Sequence, residues 1–186
     1  MKIPIETSAR HVHLSEKDFK KLFGERASLK PLRELSQPGE FASDKTITLI
    51  NKNKKIENIR VVGPLRKNSQ VEISITDSFK LKLKPKIKLS GHVLGAPTAI
   101  IKGPKGEAKV KVINAQRHLH ISESDAKKIG IKNNQKVSVR VKGIRDLTFN
   151  NIATRVSKDF KTAIHIDTDE SNAAGISGKT LGEIIK

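Results

Sequence analysis

Short runs in which apolar and polar side chains alternate recur along this chain, the pattern of strands with one buried face. Residues 46–50, 59–62 and 71–75 show it in the first half, and residues 147–156 and 162–166 continue it in the second. Segments 36–39 and 103–106, which contain Gly and Pro, read as turns. Segment 80–89 alternates Lys with mostly apolar residues and carries Pro85, which predicts an edge strand with its ammonium groups on one face. A short helix is expected over 180–185. Many short strands with few helices argue for small barrels or sandwiches.

One segment occurs twice. Arg10-His-Val-His-Leu-Ser-Glu-Lys-Asp18 returns as Arg117-His-Leu-His-Ile-Ser-Glu-Ser-Asp125, an offset of 107 positions (118 − 11). Two related halves are the simplest reading. In a strand alternate side chains share a face, so each His-x-His pair presents both imidazoles together while Val12 or Leu119 faces the core. Ser15 and Ser122 have the look of helix N-caps, each followed three residues later by Asp. Short helices are expected to follow and to end near Gly24 and Gly130.

Composition narrows the chemistry. The 186 residues are 35% hydrophobic with six Phe and neither Trp nor Tyr, so the core must be aliphatic and rich in β-branched residues. With no Cys, there is neither a disulfide nor a cysteine nucleophile, and metal ligands must be His or carboxylates. A net charge of +18 favours anionic partners. Six scattered Phe are a poor stacking supply for single-stranded nucleic acid, so no nucleic-acid partner is expected. No stretch has the length of a membrane span, and residues 1–8 lack the apolar region of a secretory signal, which predicts a cytoplasmic protein.

Five of the six His stand in marked places: His11 and His13, His118 and His120, and His165. A catalytic zinc takes three protein ligands and keeps a position open, so each His pair needs a third donor. His165 and Glu72 are the candidates, and spacing does not assign either to a pair; by itself Glu72 reads as an exposed strand carboxylate. His92 lacks a paired neighbour and is not expected to bind metal. Arg66, in Gly63-Pro-Leu-Arg66, has the fork geometry that grips phosphate. Asp167 shares the strand face of His165 and is a candidate to orient it, whereas Asp169 and Glu170 read as a solvated acidic turn.

Taken together, Ser8-Ala-Arg-His-Val-His-Leu-Ser15, Leu35-Ser-Gln-Pro-Gly-Glu-Phe-Ala42, Gly63-Pro-Leu-Arg66 through Gln70-Val-Glu-Ile73, Gln116-Arg-His-Leu-His120 and His165-Ile-Asp-Thr-Asp-Glu-Ser-Asn-Ala-Ala174 resemble the PduL-type phosphotransacylases, or phosphate propanoyltransferases. The resemblance covers nearly the whole chain. It implies a mainly β fold of two small β-barrels capped by short α-helices and related by an internal repeat, with the active site between them. The first domain would span 10–115 and the second 116–186, the latter completed by strand 1–9. One Zn2+ would be held by His11, His13 and Glu72, the other by His118, His120 and His165. Arg66 falls where the family binds phosphate, and Ser8, Arg33, Arg60, His165 and Asn172 where it contacts coenzyme A. Arg33 replaces a usual Lys, and Lys88 and His92 depart from the family's Arg-x-Ser-Gly-Asp pattern.

The activity implied is reversible transfer of a short acyl group between coenzyme A and phosphate, by a homodimer with no membrane association. Family members packaged in microcompartments often carry an N-terminal extension; here the first motif begins at Ser8, which favours the cytoplasm. Two rival readings are a two-zinc phosphoester hydrolase and a basic nucleic-acid-binding β-barrel.

Overall fold

The structure, a computed structural model, describes residues 1–185. Lys186, the last residue of the expected second domain, lies outside the described residues. Along the chain run β1 (Lys2–Ser8), β2 (His11–His13), α1 (Glu16–Phe23), β3 (Pro31–Glu34), β4 (Phe41–Asn51), β5 (Lys54–Gly63), β6 (Gln70–Ile73) and α2 (Ile75–Leu81). There follow β7 (Ile87–Lys88), β8 (Thr98–Lys102), β9 (Glu107–Ala115), β10 (His118–Ile121), α3 (Glu123–Ile129), β11 (Lys136–Val141), β12 (Leu147–Val156), β13 (Ala163–Asp167), α4 (Thr168–Ala173) and β14 (Thr180–Ile185). The fold is mainly β, with short helices, as the alternating patterns predict.

The chain forms two compact units. The first comprises Arg10–Leu35 and Gly39–Ala115; the second comprises Met1–Ala9, Ser36–Pro38 and the chain from Gln116 onward. In the first, β2 lies parallel to β5 and antiparallel to β6. Next to β6 comes β9, in parallel; β9 pairs antiparallel with β8, β8 with β4, and β4 with β5, which closes a six-stranded barrel. β3 and β7 extend it at β4 and β9.

The second unit repeats every sense of pairing. β10 lies parallel to β12 and antiparallel to β13, β13 is parallel to β1, and β1, β14, β11 and β12 close the barrel antiparallel. Thus β9 holds in the first barrel the place that β1 holds in the second. Ile3 and Ile5 of β1 match Val110 and Val112 of β9 at the same offset as the His pairs, and all four are buried. Each of these strands belongs to one unit and leads directly into the His-x-His strand of the other. The first barrel takes its six strands from residues 10–115, whereas the second adds β1 to the five strands that follow Gln116.

The cores are aliphatic. Val12, Leu14, Leu49, Ile59 and Val71 are among the side chains filling the first barrel. Leu119, Ile121, Ile152, Ile164 and Ile166 are among those filling the second. The caps form as expected: Ser15 accepts from the Asp18 N–H and Ser122 from the Asp125 N–H, and α1 and α3 end at Gly24 and Gly130. A hydroxyl completes each cap, because Ser69 and Thr162 accept the N–H of Ser15 and Ser122 and donate to Asp18 and Asp125.

Three expectations are corrected. The strand expected over 71–75 stops at Ile73, because Ser74 accepts from the Asp77 N–H and starts α2. That helix consumes Lys80 and Leu81, and Lys82 ends it in the left-handed region (φ 49°), so segment 80–89 is no edge strand and pairs only through Ile87 and Lys88. Residues 180–185 form β14 in place of a helix, since β1 and β11 each present an open edge that only a strand can satisfy.

Gly182 sits where a Cβ would lie 2.4 Å from Val139 Cγ1 and 2.8 Å from Ile5 Cδ1. Substituting Gly182 by Val should therefore overpack the barrel and cost about 1–3 kcal/mol. Ile5→Ala, which empties a site only 4% exposed, should cost about 2–5 kcal/mol. Urea denaturation of the full chain reads both; unchanged stability for either would mean that β1 and β14 do not pack as described.

Candidate metal and anion site

In the first unit, two-residue periodicity puts His11 and His13 on one face of β2 while Val12 is fully buried on the other. Antiparallel pairing sets Glu72 of β6 directly across from His11. The His11 and His13 Nε2 atoms are 3.2 Å apart, and Glu72 Oε1 lies 3.7 and 3.8 Å from them. Donors around a tetrahedral zinc, at bonds of roughly 2.0–2.1 Å, stand about 3.3 Å from one another. The trio therefore fits a small divalent cation. Glu72 is 5% exposed, which overturns its reading as an exposed strand carboxylate.

Burial pushes the His13 imidazole well below its usual pKa; His11 and Arg66 push the same way, and the backbone at Val62 opposes them. Its Nδ1 is buried without a hydrogen bond of ordinary geometry. An imidazole held neutral keeps the lone pair that a metal needs.

Arg66 follows the turn after β5. The ring of Phe41 covers Gly63, and the Arg66 N–H donates to the Leu14 carbonyl (2.8 Å). These contacts hold the loop against the end of β2. The guanidinium donates to Ser90 Oγ (2.9 Å) and Glu40 Oε1 (3.1 Å). Gln70 donates to Glu72 Oε1 (2.6 Å) and to Ser90 Oγ (2.8 Å), and its own oxygen accepts the Gly91 N–H. One network therefore connects the candidate ligand Glu72 to the candidate phosphate group Arg66.

In the second unit, His118 and His120 share a face of β10, and His165 of β13 pairs across from His118. The three ring centroids are 4.7, 5.1 and 4.9 Å apart. His118 Nδ1 lies 2.9 Å from the Gln116 carbonyl, which leaves Nε2 as the candidate ligand atom. The rings are gathered, but the nitrogens are not yet convergent. Among the described residues, the group whose ligand atoms all lie within 4.8 Å of one another is His11, His13 and Glu72. Rotation of an imidazole by half a turn exchanges which nitrogen faces its neighbours.

The group facing His165 is not Asp167. That carboxylate caps α4 in a full capping box with Glu170, and burial raises the pKa of both. Instead Glu6, across from His165 on β1, places Oε2 3.7 Å from Nδ1, and Gln37 places its amide nitrogen 3.4 Å from Nε2. Glu170 is not in a solvated turn; it pairs with Arg117 at 2.5 Å. Arg155 lies 3.4 Å from His120 Nε2, and Phe160 packs on the same ring.

Sequence reasoning missed Glu6, Gln37, Glu40, Gln70, Ser90 and Arg155. Gln70 carried a spacing signal, since it alternates with Glu72 on β6. Gln37 and Glu40 lie within the motifs that carry the resemblance, and Ser90 within the segment compared with the family's Arg-x-Ser-Gly-Asp pattern, which gave them no role. The candidate coenzyme A residues are placed as follows. Ser8 ends β1, His165 is on β13 and Asn172 is exposed on α4, all in the second unit. Arg33 is exposed on β3, and Arg60, opposite His11 on β5, donates to the Ser43 carbonyl, both in the first unit. His92 is exposed.

Known proteins are similar to this chain. Residues 4–177 match the family model described as phosphate propanoyltransferase. A Thermotoga maritima protein named phosphate propanoyltransferase is 44% identical over 99% of this chain and 89% of its own length. Proteins of the same name from Clostridioides difficile (44%, over 99% and 89%) and Levilactobacillus brevis (42%, over 100% and 89%) are similarly related. Among the described residues, no helix is long and apolar enough to cross a membrane. The match extends over both barrels and includes each of the His-x-His strands, and the chain belongs to the phosphate propanoyltransferase family.

Proposed function

We propose that this protein is a zinc-dependent phosphate acyltransferase that interconverts a short-chain acyl-coenzyme A plus phosphate with the acyl phosphate plus coenzyme A. The observation that carries the reading is the network joining Arg66 to the zinc-sized trio of half-buried His11 and buried His13 and Glu72. Family membership supports the reaction class. His118, His120 and His165 would hold a second zinc, making two per chain. When bound, the zinc ions supply Lewis acidity toward phosphate and carbonyl oxygens.

This chain's residues do the rest. Arg66, preset by Ser90 and Glu40, grips phosphate with its planar fork and orients one oxygen toward the thioester carbon. A carbon–oxygen bond forms, the carbon–sulfur bond breaks, and the sulfur leaves as the thiolate of coenzyme A, which takes a proton from solvent. With no Cys in the chain, direct attack by phosphate needs no cysteine-linked acyl group. Ser8, Arg33, Arg60, His165 and Asn172 contact coenzyme A in this reading, and the net charge of +18 draws its phosphates and inorganic phosphate toward the protein. A cytoplasmic homodimer is the expected working form.

Arg66→Lys keeps the charge but loses the fork. Losing one charge-assisted hydrogen bond, about 1.5–3 kcal/mol, corresponds to roughly a 10- to 100-fold fall in kcat/KM for phosphate. Zinc content and coenzyme A binding by calorimetry should stay at the wild-type level. Steady-state kinetics with phosphate varied at saturating acyl-coenzyme A makes the comparison; wild-type phosphate kinetics in Arg66→Ala would remove Arg66 from the reaction.

Metal analysis of protein prepared without chelator should find two zinc ions per chain, and a content near zero under metal-replete conditions would sink the ligand assignment. Acid should also weaken the metal-free fold through His13. Its folded pKa lies below the unfolded value of about 6.5, so the unfolded chain takes up the proton first, and stability falls as pH drops through that window. Urea midpoints at about pH 7.5 and about pH 5.5 should therefore separate more for the wild type than for His13→Gln. An equal separation would show that His13 is not held neutral in the folded protein.

A further inference from the structure

Each His-x-His strand is preceded by an arginine that plays no part in the proposed chemistry, Arg10 before β2 and Arg117 before β10. Arg10 Nη1 donates to Asp77 Oδ1 at 2.7 Å, and Arg117 Nη1 donates to Glu170 Oε1 at 2.5 Å. Both acids occupy the same place in the fold. The third donor of each trio, Glu72 or His165, pairs across from the first His; two residues on comes the N-cap, Ser74 or Asp167; three further on comes the acid.

The two ties are chemically different but geometrically the same. A carboxylate donor, a Ser cap and an Asp stand in one unit, and an imidazole donor, an Asp cap and a Glu in the other. Asp77 is 6% exposed and Glu170 21%, so both carboxylates face their guanidinium in surroundings where a lost partner is poorly replaced by water. Arg117 is held on further sides, donating through Nε to the Asn150 carbonyl (2.8 Å) and lying over the Phe149 ring at 5.6 Å.

Each tie closes a circuit: from the arginine along one residue to the first His, across the strand pair to the third donor, along its strand to the helix cap, and back through the acid. β2 is only three residues long and β10 four. So few backbone hydrogen bonds leave such a strand free to fray at its start, where the first ligand sits. We propose that Arg10 and Arg117 are positioning residues, each pinning the start of a His-x-His strand to the helix that follows the third donor and so holding that donor opposite the imidazoles. Neither is one of the proposed ligands. The inference rests on the metal reading above.

The test uses the full-length protein titrated with Co2+ alone, read by its visible absorption, for wild type, Arg117→Met, Arg10→Met and the milder Glu170→Gln and Asp77→Asn. Losing a partner that orients a ligand typically weakens metal binding about 10- to 100-fold. Arg117→Met and Glu170→Gln should show that loss at one of the two ions with a changed absorption band, and Arg10→Met and Asp77→Asn at the other. Arg117→Lys, which keeps the charge but cannot reach Glu170 and the Asn150 carbonyl together, should recover only part of it.

Amide hydrogen exchange without metal supplies the second reading. Protection in β10 and β13 should fall in Arg117→Met and Glu170→Gln while β2 and β6 keep theirs, with the converse for Arg10→Met and Asp77→Asn. Wild-type Co2+ affinity, band shape and amide protection in the folded Gln and Asn variants would overturn the positioning role. Failure of the wild type to take up Co2+ would instead remove the metal reading; normal protection in the same variants would then overturn the positioning role on its own.

Discussion

The register of two very short strands is the constraint on which the rest depends. A strand of three or four residues presents alternate side chains to one face, but it has almost no stability of its own. Here each His-x-His strand is gripped on both sides, by a parallel neighbour and by an antiparallel one that carries the third donor. A one-residue slip would turn both imidazoles into the core and bring Val12 or Leu119 out, at the cost of burying polar rings among aliphatic side chains. The buried partner residue between the two His therefore sets the position of the candidate ligands.

Barrel closure is what supplies both neighbours. β9 completes the first barrel and β1 the second, and each then leads into the His-x-His strand of the other unit, so closing the second barrel pairs the N-terminal strand with strands from the far end of the sequence. Long-range pairing of this kind slows folding, since loop closure precedes the contacts that reward it.

Much of this was legible in the residues. The period of two in His-x-His, the Ser-x-x-Asp caps of α1 and α3 and the terminating Gly24 and Gly130 are local signals, and local physics settles them. Where tertiary demands compete, local pattern loses. Leu181, Ile184 and Ile185 are spaced as on a helix, yet two open strand edges recruit them into β14. Lys80 and Leu81 alternate as in a strand, yet the cap at Ser74 draws them into α2. The third donors were nominated but not assigned from spacing, because their partner is fixed by cross-strand register. Glu40, Ser90, Glu6 and Gln37 come from distant loops and strands, and no spacing rule reaches them.

The central claim is that phosphate, gripped beside a metal, attacks the thioester. The measurement that tests it most directly is thiol release from propanoyl-coenzyme A, with acyl phosphate quantified in parallel, in the presence and absence of phosphate and before and after chelation. The account predicts that release needs phosphate, that one acyl phosphate appears per thiol, and that chelation abolishes both until zinc is restored. Thiol release at the same rate in water alone, without acyl phosphate, would make the protein a hydrolase, and full phosphate-dependent turnover by metal-free protein would contradict the zinc assignment.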